Sequence, residues 1–210
     1  MKAAPFIRLV LIGLTALLAL VPQATTLAST PVDPSTLNPP IPPDFNATCA
    51  AVGFGTLCFL QFSDPPVVDQ DAGDLVCGSS TLPLLISQTR TVDGRRYYDR
   101  NNNLTERQSR QVFAGSYKNA LTGATVPFTE GITFIHKLAV PGDIDTGTIY
   151  VNGQTRLYLP KGGTVLIDAG RTIEDAGENV ILDRGPHPFT DYYVFGDTAA
   201  LQPLCAALTQ

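Results

Sequence analysis

Residues 97–108 read "YYDRNNNLTERQ", and whether they form a metal loop or a bend between strands decides the fold. Oxygen-bearing side chains at Asp99, Asn101, Asn103 and Thr105 follow the opening rhythm of a calcium loop. An EF-hand, however, needs glycine at its sixth position for the sharp turn and a bidentate glutamate at its twelfth. Counted from Asp99, those positions hold Leu104 and Arg110, and both requirements fail. Asn101 to Asn103 can instead supply the left-handed backbone of a bend. The flanks, "LLISQTRTV" before and "RQVFAGSY" after, suit long strands, so the segment predicts a hairpin. No cofactor is expected.

Outward from this hairpin the chain alternates rather than following a helical period. Over 132–140, Ile132, Phe134, His136, Leu138 and Val140 share one face opposite Thr133 and Lys137, the pattern of a half-buried strand. In "TIYVNGQTRLYL", Asn152 and Gly153 form a strong hairpin signal, which predicts a tight turn with Ile149 and Val151 facing Leu157 and Leu159. "TVLIDAGRTIED" and "NVILDRG" predict two further strands around an "AGE" turn, with Ala169–Gly170 a tight turn or a bulge. Only "DTAALQPLCAALTQ" looks helical. Asp197 is the expected N-cap for Ala199 to Leu201, Pro203 interrupts or restarts the turn before Cys205 to Leu208, and Leu204 and Leu208 pack on the sheet. The fold class expected is all-β, an antiparallel β-sandwich or flattened barrel with a short C-terminal helix.

The N-terminus carries Lys2 to Arg8 and then an apolar run from Leu9 to Val21, the plan of a secretory signal peptide over residues 1–28, cut after Ala28. The run is shorter than the roughly 20 apolar residues of a spanning helix, so stable membrane insertion is not expected. Its removal takes away Lys2 and Arg8 and no acid, moving the formal charge from −5 to −7. An acidic chain has no overall electrostatic reason to seek nucleic acid. Residues 29–44 hold six prolines and predict an extended, polyproline-like linker before one domain over 45–210.

Cys49, Cys58, Cys77 and Cys205 are an even set in a chain read as secreted to the extracellular space, so two disulfides are expected. Three connectivities are open. Two glycines between Cys49 and Cys58 let that segment fold back, favouring a local bridge and leaving Cys77 with Cys205. The spacings do not fit a structural zinc site.

Taken together, "LVCGSSTLPLLIS", "YYDRNNNLT", "LTGATV", "DAG", "GPH" and "LCAAL" resemble a group of uncharacterised secreted bacterial proteins. The resemblance covers roughly residues 49–208. It implies bacterial export, a small all-β domain bounded by an early cysteine and one in the last helix, and the Cys77 to Cys205 pairing. That group carries no catalytic residue onto this chain. Residues 97–108 are also similar to the tyrosine and aspartate hairpin of the YD-repeat proteins.

His136 and His187 are the whole supply of histidine. His136, on the apolar parity of its strand, reads as a hydrogen-bonded core residue. His187, between two prolines and near Asp183, is the candidate base of a secreted hydrolase, though no nucleophile on a glycine turn accompanies it. The acid pairs Glu174 with Asp175 and Asp143 with Asp145 read as solvated turns. Residues 90–110 hold six arginines against three acids, a local +3 on an acidic body. Arg90, Arg96, Arg100 and Arg110 are therefore the candidate binding residues, for an anionic glycan or an acidic protein surface. The leading expectation is a non-enzymatic binding or structural module.

Overall fold

A computed structural model describes residues 29–159, 162–177 and 179–210. The expected signal peptide, residues 1–28, lies outside the described residues. Ten strands form one antiparallel sheet: β1 (Pro31–Val32), β2 (Thr48–Val52), β3 (Gly55–Ser63), β4 (Val67–Cys77), β5 (Ser80–Tyr98), β6 (Leu104–Asn119), β7 (Thr125–Lys137), β8 (Thr148–Tyr158), β9 (Thr164–Asp175) and β10 (Val180–Arg184). Their order is β1-β2-β3-β5-β6-β7-β8-β9-β10, with β4 beside the first half of β5. Two helices follow, α1 (Pro188–Tyr193) and α2 (Gln202–Leu208). The all-β expectation with a short C-terminal helix stands, as an open, flattened antiparallel sheet rather than a closed barrel.

The β5–β6 hairpin is the spine, and the bend at its tip forms where the asparagines placed it. Asn102 takes the left-handed conformation, at φ 63°. Asp99 Oδ1 accepts hydrogen bonds from the backbone N–H groups of Asn101 (2.8 Å) and Asn103 (2.9 Å). The oxygen that a calcium loop would aim at an ion thus serves the turn.

Hydrophobic residues from strands that are distant in the sheet meet under α2. Leu75 of β4 and Leu166 of β9 belong to one core with Leu84, Phe128, Leu157, Leu204 and Leu208. Since β5 to β8 separate those two strands, the sheet curls around the helix. Asn119, itself buried, donates from Nδ2 to the carbonyl of Leu208 (3.1 Å) and accepts from the N–H of Leu121 (2.9 Å), tying the last helical turn to the β6–β7 connection. Asp197 accepts from the N–H of Ala199 in the turn before α2, while Pro203 occupies the first turn of the helix, where its missing N–H does no harm.

Both disulfides take the favoured pairing: Cys49 with Cys58 across β2–β3, and Cys77 with Cys205, which fastens α2 to the end of β4. Among the described residues no helix is long and apolar enough to cross a membrane.

Several local expectations are corrected. Asn152–Gly153 is not a turn; β8 runs straight through it, pairing Gly153 with Ile132 on one side and Gly170 on the other. A Cβ at Gly153 would come within 2.6 Å of Ile132 Cγ2, so glycine is there for close approach and not for a left-handed backbone. Ala169–Gly170 is neither turn nor bulge, because β9 keeps its register with β8 across both residues. The strand expected over 132–140 begins earlier and stops at Lys137, leaving Val140 outside it and exposed. Glu174 lies within β9 rather than in a solvated turn. The proline-rich stretch is not a detached linker: Pro31–Val32 pairs with β2, and Leu37 and Ile41 are buried in a second core with Cys49, Cys58, Leu60, Tyr98 and Leu104. These two apolar side chains, with backbone hydrogen bonds from Asn38 to Asn102 and from Leu104 to Asn38, fix it on the sheet. Helix α1 was not anticipated.

Candidate functional site

Successive side chains of a strand alternate faces, so parity along β5 sorts the arginines. Leu82, Leu84, Val92 and Tyr98 are buried, and Arg90 and Arg96 share their parity on the inner, concave face. Arg110 on β6 is cross-strand from Asp93, of the opposite parity, and therefore lies on the outer face, exposed. Arg100 sits at the hairpin tip, where its Nη2 donates to the carbonyl of Gly53 (3.2 Å). The four candidate binding residues do not form one surface.

The residue that joins Arg96 is Arg107. Counting back from the pair Tyr98 and Leu104 in unbroken register would set Arg96 opposite Glu106. The register shifts by one between Tyr97 and Tyr98, so Arg96 pairs with Arg107 and Glu106 turns outward opposite Tyr97. Thr105, the extra residue, is secured by its hydroxyl, which donates to the carbonyl of Tyr97 (3.0 Å), and by its own carbonyl, which accepts from the N–H of Leu138 (3.0 Å). A bulge thereby replaces an ion pair with two adjacent guanidinium groups.

These cations stand among aromatic faces. Arg96 lies over Phe45 (5.8 Å to the ring centre), Arg107 over Phe134 (5.4 Å), and Arg90 over Phe62 (5.9 Å) and Phe113 (5.6 Å). Phe45, from the N-terminal segment, stacks on Phe62 at 4.5 Å and forms a wall of the resulting cleft, about 260 Å³ in volume. Arg90 is neutralised by Asp64 (2.9 Å) and held by Gln111. Among the described residues no carboxylate pairs with Arg96 or Arg107, and none lines the cleft. Burial and the neighbouring charge of Arg96 lower the pKa of Arg107, and the charge of Asp145 only partly opposes them.

His136 holds Arg107 in place. Fully buried as expected, it accepts from Arg107 Nε at Nδ1 (3.1 Å) while Nε2 lies 2.8 Å from the carbonyl of Thr146. That pairing assigns the proton to Nε2 and leaves Nδ1 a lone pair, so the ring is neutral. Burial, followed by the charge of Arg107, lowers its pKa.

His187 meets carboxylates elsewhere on the concave face, in a groove of about 550 Å³ between β7–β9 and α1. Its Nδ1 is 3.0 Å from Asp168 Oδ1, and its Nε2 is 3.1 Å from both the carbonyl of Arg184 and Asp183 Oδ1. The Nε2 proton points to the carbonyl, leaving Asp183 Oδ1 close in charge but without an aligned hydrogen bond. Burial opposes protonation of this histidine, but the acceptors at both nitrogens and the two carboxylates outweigh it and raise the pKa. Asp168 is occupied as well, its Oδ2 accepting from the N–H of Phe189 at the start of α1 (3.0 Å). The cluster pins α1 to β9.

No protein-family model, curated protein or solved structure matches this chain.

Proposed function

We propose that this protein is a secreted binding module whose ligand is an anionic glycan, held in the cleft between Phe45 and the concave face of β5–β7. One observation carries the reading: Arg96 and Arg107 stand side by side, aimed by the bulge at Thr105 and by His136, with no carboxylate among the described residues in an ion pair with either. A carboxylate or sulfate group entering the cleft would supply that counter-charge and accept paired guanidinium N–H groups.

Two disulfides fit an oxidising compartment, and the expected signal peptide and the resemblance to secreted bacterial proteins support export. Isothermal titration with an oligogalacturonate, and with a neutral oligosaccharide of equal length, tests the reading. Binding of the acidic chain alone, weakened at least tenfold by Arg96→Ala and eroded by salt, is expected. Equal binding of both sugars, or of neither, overturns it.

A further inference from the structure

We infer that the groove between β7–β9 and α1 is a second binding site, for an organic ammonium ion. It lies on the same concave face as the arginine cleft but has the opposite character. No lysine or arginine among the described residues lines it, and Glu130 projects into it from the centre of β7. Glu130 shares its cross-strand row with Thr155 of β8 and Asp168 of β9, and Thr155 hydrogen-bonds the carboxyl group. In the adjacent row Gly153 and Gly170 are paired, and Ile132 and His187 close over them to form that part of the floor.

His187 also lines the groove, but both of its ring nitrogens are engaged, by Asp168 on one side and by Asp183 and the carbonyl of Arg184 on the other, so neither faces Glu130. A half-buried carboxyl without a counter-charge resists ionisation, and burial is the leading cause of its raised pKa.

An aromatic wall is the second, independent feature. Tyr117, Phe189 and Tyr193 all line the groove; Phe189 and Tyr193 lie parallel at 6.5 Å, and Tyr117 meets Phe189 at 6.1 Å. Ring faces attract cations through their quadrupole, and aromatic walls with a nearby carboxylate are the usual surroundings of alkylated ammonium groups. A neutral ligand would gain the rings but leave Glu130 uncompensated. An anion would be repelled. Only a cation with apolar substituents satisfies rings and carboxyl together.

Choline and its neutral isostere 3,3-dimethylbutan-1-ol, titrated into the full chain by isothermal calorimetry, separate the terms. Choline is expected to bind at least tenfold more tightly than the isostere. Glu130→Gln is expected to remove that preference and Tyr193→Ala to weaken choline, while Arg96→Ala leaves it unchanged, which keeps the result independent of the glycan proposal. In the wild type, the carbon resonance of the Glu130 carboxyl should move on adding choline, a readout that needs no variant. Equal affinities for the two probes, no binding of choline, or an unmoved Glu130 resonance overturns the inference.

Discussion

Replacing Cys77 and Cys205 together by alanine should cost more than any other pairwise change in this chain. The two residues are 128 apart in sequence, whereas Cys49 and Cys58 are 9 apart. On chain-entropy grounds, opening the long loop frees about 5 kcal/mol of unfolded-state entropy and opening the short one about 2.7 kcal/mol. The long bridge also clamps α2, whose Leu204 and Leu208 are fully buried against the curled sheet. Against the roughly 5–15 kcal/mol by which domains are stable, the Cys77/Cys205 variant should sit near its folding threshold and the Cys49/Cys58 variant well above it. Urea unfolding followed by far-ultraviolet circular dichroism measures both, with a shared slope confirming that stability and not compactness has changed. Equal losses, or a larger loss for the short loop, would refute the view that α2 is held as the lid of the main core.

The glycines give a paired test. A Cβ at Gly170 would lie 2.1 Å from the carbonyl oxygen of Arg184 and 2.5 Å from His187 Nε2, so Gly170→Ala should destabilise by about 1–3 kcal/mol or more, whereas Gly131→Ala, with open space around it, should be neutral or slightly stabilising. Thermal melts of the two variants decide it; similar losses would contradict the packing at His187. Asn119→Leu should cost about 1–3 kcal/mol, because it leaves the buried carbonyl of Leu208 without its donor, and an unchanged unfolding midpoint would show that water replaces the amide. The histidines oppose each other in pH. His187, whose folded pKa is raised, contributes stability that is complete below about pH 6.5 and lost as pH rises through the folded value, so the gap between wild type and His187→Gln should shrink with rising pH. His136, whose folded pKa is lowered, contributes stability that is present above about pH 6.5 and lost as pH falls, so the gap to His136→Gln should shrink on acidification. Denaturation series between pH 5 and 8 read both slopes, and a gap moving the other way for either variant contradicts its assigned charge.

What the sequence disclosed follows from how local each signal is. The hairpin at 99–103 was legible because its asparagines act on their own backbone. The disulfides were legible because so few pairings exist. Asn152–Gly153 misled because a glycine required for close approach between neighbouring strands has the same local signature as one required for a turn. The cleft was half legible: Arg90 and Arg96 share a parity that the sequence shows, but Arg107 joins Arg96 only through the bulge at Thr105, which cross-strand pairing reveals and composition does not. Phe45 was hidden in a stretch read as linker, since two buried residues, Leu37 and Ile41, make no periodic pattern. Helix α1, six residues behind a proline, is too short to show a helical period, yet it walls the second groove.

The most direct measurement is an NMR titration of arginine Nε–Hε resonances with an oligogalacturonate. Shifts concentrated at Arg96 and Arg107, with Arg110 on the outer face unmoved, are the expected result. Shifts centred on Arg110 or the hairpin-tip Arg100, with Arg96 and Arg107 silent, would show that the concave cleft is not where the anion binds.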